Sequence, residues 1–338
     1  MQIYNNYTLK NHNTFGISVS CSSFAEVESN LELIELLSEQ RFKNMQKLIL
    51  GSGSNILFTK DFDGLVIAQT SNKITIQSET DDHVFISAEG GVIWHDLVMY
   101  CVNKNLGGIE NLSLIPGKVG AAPIQNIGAY GQELKDVFHS LKGVHLDDLS
   151  EVEMLNPDCK FGYRNSIFKN ELKDKFIITE VTLRLDKTPK LNANYWAIKE
   201  ELSKTDKTNL TIKDVSEIVC KIRKSKLPDP NVLGNAGSFF KNPEISFELH
   251  IGLKRKYNDL PGYVIPADKI KIPAGWLIEK CGFKGKRFGN VGVHEKQALV
   301  IVNYGGGTGD EVLKLKDQIK AEVKNRFMID LEEEVNIV

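Results

Sequence analysis

The sequence predicts an α+β protein of two domains, and three observations carry that reading. The chain has 338 residues, and domains average about 150. Helix-like and strand-like segments are intermingled from the start instead of alternating regularly. Residues 189–194, beginning at Pro189, form the best linker candidate. They divide the chain into domains spanning residues 1–188 and 189–338.

Taken in order, residues 31–37 carry a helical apolar stripe, and residues 47–50 form a short apolar strand ending abruptly at Gly51. Three β-like pieces follow, at residues 64–68, 73–77 and 84–88, the second with clear alternation. Residues 94–105 read as a helix stopped by Gly107-Gly108. Residues 107–131 hold six glycines and two prolines with no sustained period. Long ordered loops of that kind are usually functional. Residues 137–146 and 176–185 look like strands. Thr211 and Asp214 open a helix that ends before Pro228-Asp229-Pro230. Thr308 and Glu311 form a capping box for a long helix to about Phe327. Residues 331–338 alternate, Leu331, Val335 and Ile337 against Glu332, Glu334 and Asn336, and predict a final strand.

Composition narrows the function classes. Lys and Arg total 42 against 44 Asp and Glu, a net charge of −2. No general field attracts nucleic acid or an anionic membrane, so an anionic ligand needs a specific pocket. No run approaches the length of a membrane-spanning helix. Residues 1–7 have neither a basic start nor an apolar run, so a signal peptide is not expected. Cys21, Cys101, Cys159, Cys220 and Cys281 show no metal-ligand spacing and suit free thiols in a reducing cytoplasm. No metal site is expected.

Several stretches carry chemistry. Residues 51–55, Gly-Ser-Gly-Ser-Asn, follow a strand and make either an anion-binding nest or a plain turn. They lack the glycine spacing of a dinucleotide fingerprint and the Gly-Lys-Ser/Thr ending of a phosphate loop. In residues 114–131 small residues allow close backbone approach to a flat or phosphorylated ligand. Gln125 and Asn126 there offer amides suited to the edge of a heterocycle. Arg164, among aromatics, is either half of a buried ion pair or an anion clamp. Ser238, between Gly237 and Phe239-Phe240, lacks a nucleophile elbow and a nearby histidine, so a hydrolase triad has little support.

Seven stretches in this order resemble the UDP-N-acetylenolpyruvoylglucosamine reductase family, flavoenzymes that complete UDP-N-acetylmuramate in bacterial peptidoglycan synthesis. They are residues 13–17, 51–55, 115–131, 163–166, 234–243, 274–285 and 332–335, and together they span nearly the whole chain. Pro261-Gly262-Tyr263 resembles the longer type of the family, in which a tyrosine loop closes over the substrate. The resemblance implies an FAD-binding fold of the vanillyl-alcohol-oxidase (PCMH) type with a smaller C-terminal α+β substrate domain. It also implies noncovalent FAD, reduced by NADPH and passing hydride to the enolpyruvyl ether of the UDP-sugar. Arg164, Ser238 and Glu334 match the catalytic positions, with Ser238 as proton donor and residues 331–338 carrying Glu334 to the active site. Gly51, Ser52, Gly53, Ser54, Asn55, Pro116, Gly117, Gly120, Ala121, Ala122, Gln125, Asn126 and Gly128 match the flavin contacts. Ala121-Ala122 stand where small or hydroxyl residues are usual, which leaves only backbone bonds to the flavin there. Tyr130, Tyr195, Lys226, Asn242, Tyr263, Lys284 and Gln297 match the substrate contacts, although Asn192-Ala193-Asn194 lengthens the approach to Tyr195. The expected protein is a monomeric cytoplasmic enzyme. Another FAD oxidoreductase of the same fold, acting on an alcohol or sugar, is the alternative. A nucleotide-sugar binding protein that has lost its chemistry is the reading from another class.

Overall fold

A computed structural model describes residues 1–204 and 209–338. Two compact units emerge, and both are discontinuous in sequence. The first comprises Met1–Tyr7, Cys21–Ser52 and Phe62–Ser225, and the second comprises Thr8–Ser20, Gly53–Asp61 and Lys226–Val338.

Two larger sheets and the short hairpin Gly128–Ala129/Gln132–Glu133 are present among the described residues of the first unit. One has the strand order Gln2–Thr8, Ser20–Val27, Phe62–Gln69, Gln46–Leu50, and its last three strands are parallel. The Phe62–Gln69 strand is buried at nearly every position, as a central parallel strand covered on both faces must be. Helix α1 (Asn30–Ser38) starts on a Ser29 cap and packs Leu33, Leu36 and Leu37 against Ala25, Val27, Leu65 and Ile67. The other sheet is antiparallel, in the order Glu151–Leu155, Phe138–His145, Phe176–Asp186, His83–Glu89, Ile74–Glu79. Helix α2 (Trp94–Asn103) buries Trp94, Leu97, Val98, Cys101 and Val102 in the core that contains Ile86, Val181 and Leu185.

The boundary expected at residue 188 falls inside this first unit. Ala197 and Ile198 of helix α3 (Trp196–Leu202) share a core with Val215, Val219 and Ile222 of helix α4 (Ile212–Lys226). Tyr130 and Leu191 pack against the same cluster. Residues 189–194 therefore form a packed connection, and the chain passes to the second unit after Ser225.

In the second unit an antiparallel sheet runs Gly234–Ser238, Val300–Asn303, Val291–Val293, Arg287–Phe288. A smaller sheet joins Glu244–Ser246, Lys269–Lys271 and Tyr263–Ile265, with helix α5 (Phe247–Lys256) inserted between its first two strands in sequence. Helices α6 (Ala274–Lys280) and α7 (Gly309–Phe327) complete the unit. Helix α7 buries Val312, Leu315, Ile319, Val323 and Phe327, one stripe at helical spacing. Its start is the expected capping box, with Glu311 N donating to Thr308 Oγ1 at 3.3 Å and Thr308 N to Glu311 Oε2 at 2.9 Å. Thr308→Ala removes one side of that exchange. It should lower the unfolding free energy by about 1 kcal/mol, read as an earlier urea midpoint at unchanged slope.

The final strand is shorter than the alternation predicts. Only Asn336–Ile337 forms a ladder, parallel to Ile56–Leu57. Leu331 and Val335 are buried as expected, but Ile337 is 41% exposed. Residues 331–335 are not free to form a ladder, because single backbone bonds tie them to residues 239–241: Lys241 N to Glu332 O at 2.9 Å and Glu334 N to Phe239 O at 2.8 Å.

Candidate active site

Residues 51–55 leave the C-terminal end of strand Gln46–Leu50, the end of a parallel sheet where ligands collect. The loop straddles the division of the chain, with Gly51 and Ser52 in the first unit and Gly53 in the second. Gly53 has φ +61°, and a Cβ there would lie 2.0 Å from the His12 carbonyl oxygen. Packing against residues 12–13 thus demands this glycine, whatever the ligand requires. The Gly53 carbonyl accepts from Thr14 N at 3.0 Å and Thr14 Oγ1 at 3.2 Å. An acceptor that would repel an anion is thereby turned into the protein, while the Ser52 and Ser54 side chains remain partly exposed. That donor set fits a diphosphate. Asn55 has a different task within the second unit: its Nδ2 donates to the Glu334 carbonyl at 3.2 Å, and its own carbonyl accepts from Asn336 N at 3.1 Å.

Residues 115–131 are irregular but closely tied. Gly120 N donates to Gly90 O at 2.9 Å, and Trp94 N to Gly117 O at 3.0 Å. Ala122 is buried, whereas Pro116, Gly117, Ala121, Gln125 and Gly128 keep some exposure. The sequence reading of Asn126 needs correction. Its side chain is fully buried and donates to Gly162 O at 3.0 Å and Glu133 Oε2 at 3.1 Å, while its Oδ1 accepts from Lys135 N at 3.0 Å. Both donor hydrogens are spent holding the loop, so its amide is not available to a heterocycle. Lys118 Nζ donates to the Gln69 carbonyl, and burial pushes this lysine below its ordinary range.

Arg164 stands in the first unit at φ +51°, on a tight turn closed by Gly162 N to Asn165 O at 2.9 Å. Its Nη2 donates to Gly128 O at 2.6 Å, and its guanidinium lies 5.5 Å from the centre of the Tyr163 ring. Sequence reasoning missed Arg223, on the same unit. Its Nε donates to Leu114 O at 3.2 Å, and its side chain hydrogen-bonds Tyr130. Burial lowers the Arg223 pKa, and the charge of Arg164 adds to the lowering. Two like charges sharing a poorly solvated corner make it receptive to an anion. The only sequence hint was an arginine one position beyond the buried Ile222 of α4.

Tyr130, at φ +50°, packs edge-on against Tyr195 with ring centroids 5.3 Å apart. Burial pushes the Tyr130 hydroxyl up, and Arg223 opposes the shift. The buried Asn111 secures this turn, donating to Tyr130 O at 2.9 Å and Asn192 O at 2.8 Å. Asn192 Nδ2 returns a bond to Gly131 O at 3.0 Å. The lengthened approach to Tyr195 is therefore clipped onto the Tyr130 turn.

The segments that carry Ser238 and Glu334 are neighbours in the second unit. Phe239, next to Ser238, accepts from Glu334 N through its carbonyl at 2.8 Å, and Phe240 bridges Glu333. Asn242 Oδ1 accepts from Ala274 N at 2.9 Å, at the start of α6. Lys284 pairs with both oxygens of Glu279 at 3.0 Å. Gln297 Oε1 accepts from Leu299 N at 3.3 Å. Lys226 is half-buried, and Tyr263 is exposed on its hairpin. Among the described residues no His, Cys, Asp and Glu cluster could hold a metal ion, and no helix is long and apolar enough to cross a membrane.

The chain is 48% identical to UDP-N-acetylenolpyruvoylglucosamine reductase of Flavobacterium johnsoniae, over the full length of both proteins. It belongs to the UDP-N-acetylenolpyruvoylglucosamine reductase family. The enzyme of that name from Pseudomonas aeruginosa is 44% identical over 100% of this chain and 99% of its own. The profile of the UDP-N-acetylenolpyruvoylglucosamine reductase C-terminal domain matches residues 229–338, and that of an FAD binding domain matches residues 22–151. A crystal structure of UDP-N-acetylenolpyruvylglucosamine reductase from Thermus caldophilus shares the fold, with a TM-score of 0.69 at 24% identity over 99% of this chain and 98% of that one. The α+β FAD-binding fold and the smaller C-terminal domain follow. The family is one of FAD-dependent reductases, and the diphosphate-compatible donors of residues 51–55 suit that cofactor.

Proposed function

We propose that this chain reduces UDP-N-acetyl-3-O-(1-carboxyvinyl)-glucosamine to UDP-N-acetylmuramate, with NADPH as the electron donor. Beyond family membership, the observation that supports this reading is that the segments carrying Ser238 and Glu334 are backbone-bonded neighbours, with Glu334 N donating to Phe239 O at 2.8 Å.

FAD, when bound, supplies hydride to the substrate's terminal vinyl carbon. Reduction there develops negative charge on the α-carbon, delocalised into the adjacent carboxylate. Arg164 receives that carboxylate, its planar and permanently charged guanidinium suiting bidentate contact. Arg223 lends its charge to the same corner and holds the Tyr130 hydroxyl. Ser238 delivers the proton to the α-carbon. A serine hydroxyl is a weak acid in water, but an enolate is a strong base. Glu334 acts with Arg164 at the carboxylate end. Ser52 and Ser54 would hold the flavin diphosphate, and backbone groups of residues 116–128 would contact the flavin. Tyr130, Tyr195, Lys226, Asn242, Tyr263, Lys284 and Gln297 contact the UDP-sugar. Lys284 exchanges Glu279 for a phosphate when substrate arrives. The five unpaired cysteines, three of them buried, suit an enzyme of a reducing cytoplasm.

The purified protein should be yellow and release intact FAD on denaturation. Flavin absorbance and chromatography of the released cofactor check this, and a colourless protein that takes up no added FAD refutes the reading. Rapid reoxidation of the reduced protein by the enolpyruvyl nucleotide, with no flavin reduction by simple alcohols or sugars, is the expected substrate result.

A further inference from the structure

The strand that delivers Ser238 is irregular immediately before it. Asn235 pairs with Val302 and Ser238 with Val300, so three steps along one strand oppose two along the other. One extra residue is accommodated, a β-bulge, and Gly237 within it has φ +70°. Asn235, only 5% exposed, clamps the bulge. Its Oδ1 accepts from Gly237 N at 3.0 Å, and its Nδ2 donates to Leu233 O at 2.8 Å and Pro228 O at 3.3 Å. On the other side of Ser238, Phe239 N donates to Leu299 O and Phe239 O accepts from Glu334 N, each at 2.8 Å. Ser238 is thus fixed between a clamped bulge and a residue bonded on both edges. Side chains alternate along a strand, so removing the extra residue would turn Ser238 to the opposite face.

We propose that Asn235 and the Gly237 bulge form a positioning device for Ser238, setting the face on which its hydroxyl is offered. This rests on the reading of Ser238 as proton donor. A Cβ at Gly237 meets nothing within 4 Å. Substitution there therefore probes backbone conformation without steric collision, and asparagine tolerates the left-handed region far better than a β-branched residue.

The test compares holoenzyme variants in two half-reactions by stopped flow: flavin reduction by NADPH, and reoxidation of the reduced enzyme by the enolpyruvyl nucleotide at saturation. Gly237→Val and Asn235→Ala should reduce normally and reoxidise on the order of 10²-fold more slowly, as for a misplaced catalytic group. Gly237→Asn should stay close to wild type. Wild-type reoxidation in Gly237→Val, or equal slowing of both half-reactions, overturns the device even if Ser238→Ala is slow. Wild-type reoxidation in Ser238→Ala instead removes the proton-donor reading beneath it. Should Asn235→Ala fail to retain FAD, the contrast between Gly237→Val and Gly237→Asn decides alone.

Discussion

Ser238→Ala is expected to leave flavin reduction by NADPH unchanged and to slow reoxidation by the enolpyruvyl substrate about 10²–10⁴-fold, the usual cost of losing a positioned proton donor. In the proposed mechanism only protonation of the α-carbon uses this hydroxyl, so the defect should be confined to one half-reaction. The strand geometry makes the substitution conservative for folding: Ser238 is half-buried, and its backbone pairing with Val300 does not depend on the side chain. Stopped-flow measurement on the pre-reduced enzyme decides the matter, and wild-type reoxidation rules the role out.

Glu334→Gln should retain FAD and the fold while slowing the same half-reaction severely. Its backbone is held independently of its carboxylate, by Phe239 O and by Asn55 Nδ2. Glu333 supplies the contrast. Its carboxylate pairs with Lys320 at 2.7 Å and Lys316 at 3.3 Å, so it anchors the tail to helix α7. Burial alone would raise its pKa, but the two lysines and backbone bonding hold it below the ordinary carboxylate value. A depressed folded-state pKa stabilises the protein above the unfolded value, and that contribution is lost as pH falls through the folded one. Glu333→Gln should therefore leave turnover nearly unchanged and lower stability at neutral pH, with the difference from wild type fading in acid. Deleting residues 331–338 should abolish enolpyruvyl reduction, because it removes Glu334 together with the buried Leu331 and Val335. Equal dispensability of Glu333 and Glu334 in single-turnover assays would falsify the assignment of Glu334.

Much of this was legible locally. The helix starts at Thr211 and Thr308 were written in residues three apart, and the strand before Gly51 in a short apolar run. Signals of that kind act within a few residues and survive whatever surrounds them. Readings that depend on distant partners were less secure. The tail alternates like a strand, yet its partners are residues 239–241 for one stretch and residues 56–57 for the next, so no single ladder forms. Asn126 looks like a ligand amide in sequence, and only tertiary structure brings the Gly162 carbonyl to it. Gly237 reads as one more glycine in a small-residue run, since a bulge is defined by a partner strand more than sixty residues away. The apolar stripe of α4 announces its buried face, but not that the adjacent Arg223 reaches the Leu114 carbonyl and Tyr130.

The interleaving of the two units bears on the order in which the protein can be made. Residues 8–20 and 53–61 are synthesised well before residues 226–338, which complete the structure they enter. Thr59 reaches the Val338 carbonyl through both its amide and its hydroxyl, across a separation of 279 residues. A growing chain can close the parallel strands of the first unit while these early segments still wait for partners. Closing so long a loop is entropically unfavourable and slow relative to local pairing. The second unit is therefore set to mature late, and residues 226–338 made alone would lack the strand at 56–57 on which their own tail is built.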